Sequence, residues 1–174
     1  MKILIAYATK NGTTRECAEM LAGLLKNQDV TLARVGKGGE DMPSLEGYDV
    51  VVFGSNIRMA KIDKALSEYL HKNTDMLLGR RCAYFLCCGF TDCFEDYLYK
   101  NIPERLIEHA ETVACFGGSL DKNKAKGIDR LMISAVRSEI LGGGQNGQQR
   151  DDLSLPTIME TNISQFADVI LGRR

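Results

Sequence analysis

Ile3-Leu4-Ile5-Ala6-Tyr7-Ala8-Thr9-Lys10-Asn11-Gly12-Thr13-Thr14-Arg15-Glu16-Cys17-Ala18-Glu19-Met20-Leu21 is the stretch on which the fold turns. Ile3–Ala8 is a short continuous apolar run, the pattern of a strand buried on both faces rather than one. A polar loop with one glycine follows. Residues 14–26 then carry Cys17, Ala18, Leu21, Leu24 and Leu25 on one helical stripe. A buried strand that feeds a helix through a short loop is the first half of a strand–helix–strand crossover, and crossovers build parallel sheets.

The same alternation runs outward from this segment. Val30–Val35 reads as a second strand, and residues 36–47 as a loop containing glycine and acidic residues. Asp49–Ser55, with Val50-Val51-Val52-Phe53, is a third strand ending at Gly54, and residues 62–73 carry Ile62, Leu66, Tyr69 and Leu70 at helical spacing. Arg81–Cys88 is a fourth strand, Glu95–His109 one or two helices, and Thr112–Gly118 a fifth strand. Residues 125–141 read as an amphipathic helix closed by Gly142-Gly143-Gly144. The last helix spans 157–171, between Pro156 and Gly172. The expected architecture is a single α/β domain over 1–174. It is a doubly wound parallel sheet of five strands in the order 2-1-3-4-5, with a helical insertion over about 120–152. Ligands of such sheets bind beyond the carboxyl ends of the strands, so the loops after strands 1, 3 and 4 are the candidate site.

The first of these loops, Thr9-Lys10-Asn11-Gly12-Thr13-Thr14, sets hydroxyls and an amide around a glycine. Gly12 allows the backbone to bend closely round a ligand. Thr13 is placed to cap the helix, and Glu16 three residues later to complete a capping box. Free N–H groups at the helix start attract an anion, and Thr9, Asn11 and Thr14 could add side-chain bonds to a phosphate. The same residues also make an ordinary capped turn, and the loop alone does not choose. It is neither a P-loop, for no Gly-Lys-Ser/Thr follows, nor a dinucleotide fingerprint, which needs three glycines.

Ile5–Leu21 resembles the first-loop signature of the flavodoxins. The shared features are an aromatic at Tyr7, a hydroxyl residue at Thr9, a small residue at Gly12, Thr14, Ala18 and an aliphatic at Leu21; Ala6 departs from the pattern, which has a larger residue there. The resemblance implies a flavodoxin-like fold whose first loop wraps the phosphate of flavin mononucleotide (FMN), with Thr9, Lys10, Asn11, Gly12, Thr13 and Thr14 as its holders. It further implies that Ser55, Asn56, Ile57, Arg58 and Met59 flank one face of the flavin ring. In that setting Arg58 is a cation able to stabilise a reduced anionic ring. The loop Cys88-Gly89-Phe90-Thr91-Asp92-Cys93 would flank the other side, with Phe90 as its aromatic candidate, since the chain has no tryptophan.

The segment after strand 5 narrows the resemblance. It is similar to the menaquinone-dependent protoporphyrinogen oxidase branch, through Ser55-Asn56-Ile57-Arg58 and the inserted Asp129-Arg130-Leu131-Met132-Ile133. That branch implies an oxidoreductase with a redox partner or a quinone- or porphyrin-like substrate near 120–150, and peripheral membrane contact there. A helix simply packed over the sheet edge is the alternative for this insertion.

Charge and composition trim the remaining classes. Lys and Arg number 22 against 23 Asp and Glu, so the net charge of −1 lacks the basic excess that nucleic-acid binding by counterion release calls for. With 44% apolar residues the chain is not a disordered polyelectrolyte. The charge is divided as −2 over 1–119, +3 over 120–150 and −2 beyond. The first value is far from the marked acidity of flavodoxins that act as soluble electron carriers, the competing reading, which dock through complementary fields. A phosphorylatable receiver domain needs acidic residues after strands 1 and 3, where this chain has Ala8-Thr9 and Gly54-Ser55. Of the six cysteines, Cys17, Cys82, Cys87 and Cys115 lie in apolar runs. Cys87, Cys88 and Cys93 form no C-x-x-C and have no histidine nearby in sequence, so they read as structural thiols and not as a metal site. His71 and His109 read as surface residues. No basic and apolar leader opens the chain, and no apolar run is long enough to span a bilayer. The expected compartment is the reducing cytoplasm.

Overall fold

Lys2–Ala8 (β1) lies between two parallel neighbours, pairing Ile3 with Val30 and Ala6 with Ala33 on one side, and Ile3 with Val50 and Ala8 with Ser55 on the other. Asp29–Arg34 (β2), Val50–Asn56 (β3), Arg81–Cys87 (β4) and Val113–Cys115 (β5) complete a five-stranded parallel sheet in the order β2-β1-β3-β4-β5. This is the expected order. The computed structural model describes residues 1–36, 42, 44–89, 91–118 and 157–173. The expected helix over 125–141 and the whole 120–152 insertion lie outside the described residues, as do Phe90 and Pro156.

Because a strand's side chains alternate, β1 feeds two separate cores. Leu4, Ala6 and Ala8 join Val51, Phe53, Cys82, Tyr84 and Leu86 on one face. This layer is covered by Lys64–Lys72 (α2), Thr74–Leu78 (α3), Phe94–Asn101 (α4) and Glu104–His109 (α5), which supply Leu66, Leu70, Leu77, Leu98 and Leu106. Ile3, Ile5 and Tyr7 join Val50, Val52, Ala83, Phe85 and Cys87 on the other face. There Thr13–Leu24 (α1) and Glu160–Ile170 (α6) cover them with Cys17, Ala18, Leu21, Ile163, Phe166 and Ile170. Both faces of β1, β3 and β4 are thus dry, which is why these strands are unbroken apolar runs.

Several boundaries depart from the expectations: β5 covers only Val113–Cys115 of the expected 112–118, and the last helix, expected from 157, begins at Glu160. Leu24, assigned to the buried stripe, is 48% exposed; α1 ends there, and the chain turns so that Leu25 takes the buried position. The helix expected over 62–73 starts only at Lys64, because the Asp63 carboxylate caps it by accepting from the N–H groups of Ala65 and Leu66. A further short helix, α3, follows at Asn73. Gly172, with φ +67°, closes α6 as its position promised.

Candidate functional site

The register aligns the carboxyl ends of three neighbouring strands. Ala8 pairs with Ser55, and Asn56 with Cys87. The N–H of Ile57 then donates to the Cys87 carbonyl at 2.9 Å, tying the loop after β3 to the end of β4. The loops beginning at Thr9, Ile57 and Cys88 therefore emerge side by side, as expected for a site built from all three.

In the first loop, the expected capping box is absent. Gly12, not Thr13, is the N-cap of α1. It is in the left-handed region at φ 92°, and as a glycine it brings no side chain to cap the helix. The physical reason is the left-handed bend, which only glycine takes without cost; it moves Thr13 inside the first turn. Thr9 Oγ instead receives the Gly12 N–H at 3.1 Å and holds the bend from the other side. A Cβ on Gly12 would meet no described residue within 4 Å. Thr14 is fully buried, and its hydroxyl has no hydrogen-bond partner among the described residues. The Cys87 thiol faces it but does not meet bonding geometry. A buried hydroxyl left unmatched costs about 1–3 kcal/mol. Set in the first turn of a helix with no side-chain cap, it fits an acceptor-rich anion such as a phosphate monoester. Tyr84 Oη is the other such atom among the described residues; it sits in the middle of β4 against Phe53, in the opposite core, where the Cys82 thiol faces it without meeting bonding geometry.

The second loop is a tight turn. Arg58 and Lys61 exchange both backbone hydrogen bonds, at 2.8 and 3.0 Å, around Met59 and Ala60 at φ 50° and 59°. Two consecutive non-glycine residues in the left-handed region are costly. Asn101, buried in α4, holds them there: its Oδ1 accepts from the Ile62 N–H, and its Nδ2 donates to the Ala60 carbonyl, each at 3.0 Å. Met59 stands at the tip of the turn, 72% exposed. Ser55 is buried, with its hydroxyl spent inside the loop, accepting from the Asp63 N–H and donating to the Asn56 carbonyl. Ala60→Gly is expected to raise stability by about 1 kcal/mol by relieving the left-handed strain, read as a higher urea midpoint.

The third loop divides the cysteine group. Cys87 points into the α1 core beside Cys17, whereas Cys88 Sγ lies 3.2 Å from Cys115 Sγ. Cys93 is half-buried in a 3-10 turn, Thr91–Cys93, whose Thr91 and Asp92 are exposed. Gly118 packs its backbone on Cys88 and Gly89 so closely that a Cβ there would lie 2.9 Å from the Gly89 nitrogen. Lys10 is exposed beside Asn11 in the first loop, and His71 and His109 are exposed on helices. Asn101 was missed by sequence reasoning. Its partners are 39 and 41 residues away, and an asparagine near a helix end carries no local sign of them.

With the site in place, the comparisons assign its family. The flavodoxin domain family matches residues 4–146, and the chain belongs to it. Protoporphyrinogen IX dehydrogenase (quinone) of Escherichia coli strain K12 is 33% identical over 161 residues, covering 87% of this chain and 86% of that enzyme. The enzyme of Escherichia coli O157:H7 gives the same figures. Among solved structures, the oxidised flavodoxin of Bacillus cereus aligns with TM-score 0.45 at 16% identity, over 82% of this chain and 99% of that one. A Lactobacillus acidophilus flavoprotein in complex with FMN aligns with TM-score 0.44 at 19% identity, over 66% and 92%. No helix among the described residues is long and apolar enough to cross a membrane.

Proposed function

We propose that this chain is an FMN-dependent oxidoreductase that takes electrons from a large reduced tetrapyrrole of the porphyrinogen type and passes them to a quinone. The observation that carries the cofactor assignment is the buried, unmatched Thr14 hydroxyl beside a glycine-capped helix start. The fold family and the identity to a dehydrogenase of protoporphyrinogen IX support the reaction class.

FMN, when bound, supplies the capacity to accept and release electrons singly or as hydride. The chain's own residues do the rest. Thr9 fixes the bend at Gly12, so that the first-turn amides together with Asn11, Thr13 and Thr14 hold the phosphate, with Lys10 adding positive charge. The backbone of Asn56, Ile57, Arg58 and Met59 orients one side of the ring, and Ser55 holds that loop to α2. The Arg58 guanidinium favours added negative charge on the ring. Cys88, Gly89, Phe90, Thr91, Asp92 and Cys93 close the other side. The exposed thioether of Met59 offers an adaptable apolar contact for a bulky, puckered macrocycle.

A soluble electron carrier is the competing reading, and the near-neutral charge of residues 1–119 disfavours it. Turnover separates the two. The FMN-loaded chain is expected to oxidise protoporphyrinogen IX with a menaquinone analogue as acceptor, seen as porphyrin fluorescence above the uncatalysed rate. Absence of turnover, with efficient reduction of the bound flavin by a flavodoxin reductase, would favour the carrier.

A further inference from the structure

We propose that Cys88 and Cys115 form a reversible disulfide in response to peroxide. Cys115 is the last residue of β5 and pairs with Leu86; Cys88 follows the last residue of β4. The two thiols thus lean toward each other across neighbouring strands, both free, with Sγ atoms 3.2 Å apart. A disulfide bond is about 2.0 Å long, so closure needs an approach of only about 1.2 Å, within reach of small side-chain rotations.

Two further features single out Cys115 as the attacking thiol. The Gly117 N–H is turned back onto its sulfur at 3.4 Å, a turn that uses the positive φ of Gly117. Together with the Cys88 thiol, that donor holds the Cys115 thiol below its ordinary range, so that thiolate is available near neutral pH. Cys115, itself only 7% exposed, is among the residues lining an open groove of about 510 Å³, with Thr91, Phe94, Asn162 and Phe166, so a molecule as small as peroxide has a short path to it. The remaining buried thiols lack this arrangement. Cys82 lies under the Leu77 carbonyl, and burial pushes it up to about 11; Cys87 is packed against Cys17 and likewise raised.

In the first step the Cys115 thiolate attacks one oxygen of hydrogen peroxide. The S–O bond forms, the O–O bond breaks, and the departing hydroxide takes a proton to become water. The Cys88 sulfur then attacks the sulfenic sulfur. The S–S bond forms, the S–O bond breaks, and hydroxide leaves with the Cys88 proton as a second water. The two thiols lose two electrons and two protons, and one peroxide becomes two waters. A dithiol reductant reverses the change by exchange.

The test is peptide mapping of the full chain after hydrogen peroxide, with free thiols blocked and no reduction before trypsin. The wild-type chain is expected to lose two hydrogens and to yield a bridged peptide joining 82–100 to 106–122 through Cys88 and Cys115, which dithiothreitol releases. Cys88→Ser is expected to leave a sulfenic acid on Cys115 that dimedone traps. Cys115→Ser is expected to yield neither product, and Cys93→Ser still to give the bridge. An unchanged mass in the wild-type chain, or a bridge through Cys87 or Cys93 in place of Cys88, would overturn the proposal.

Discussion

Gly54→Ala is expected to destabilise the fold by about 3 kcal/mol, at the upper end of the usual cost of overpacking. A Cβ at Gly54 would fall 2.0 Å from Cζ of Phe85 and 2.3 Å from its Cε1. The ring cannot withdraw. It is stacked on Phe116 at 4.4 Å between centroids, and both rings meet the edge of Phe166 from α6. Gly54 pairs with Phe85 across β3 and β4, so a clash there must move either the sheet or the α6 layer. Urea denaturation read by circular dichroism checks the figure. A double-mutant cycle with Phe85→Leu localises it, since the smaller side chain should remove a large part of the penalty if the ring is its source.

Thr14→Val is expected to act in opposite directions on stability and on ligand affinity. Valine keeps the shape of threonine and removes a buried hydroxyl that lacks a partner among the described residues. The flavin-free chain should therefore lose none of its stability, and gain up to about 1 kcal/mol. FMN should bind about 10-fold more weakly, because one hydrogen bond to a charged acceptor contributes roughly 1.5 kcal/mol. Combined with Asn11→Ala, the loss should reach about 30-fold or more. Thermal unfolding without flavin and fluorescence titration with it read the two effects separately. Lower stability with unchanged affinity would place the Thr14 hydroxyl in the core and not in a phosphate site.

The residues that gave the fold away were those with one local meaning. Val50-Val51-Val52-Phe53 can hardly be other than a buried strand, and the alternation of such runs with helical stripes leaves few parallel topologies. The loops of the candidate site were legible for the same reason, since the register of β1, β3 and β4 fixes where their ends lie. What escaped depends on contacts or on backbone angles that residue type leaves open. Thr13 and Glu16 satisfy the pattern of a capping box, yet the left-handed bend at Gly12 claims the cap. Nothing in Met59 or Ala60 announces positive φ; Asn101, from a helix 41 residues on, maintains it at Ala60. Cys88 and Cys115 are 27 residues apart in the chain and meet only because β4 and β5 are neighbours.

The loops at the carboxyl edge, taken together, amount to the claim that this chain holds FMN by its phosphate. Titration of the flavin-free chain with FMN and, in parallel, with riboflavin tests that claim most directly, with flavin fluorescence as the signal. The expected result is quenching that saturates at one FMN per chain, with riboflavin bound far more weakly for want of the phosphate. Undiminished fluorescence with FMN, or equal affinity for the two flavins, would contradict it.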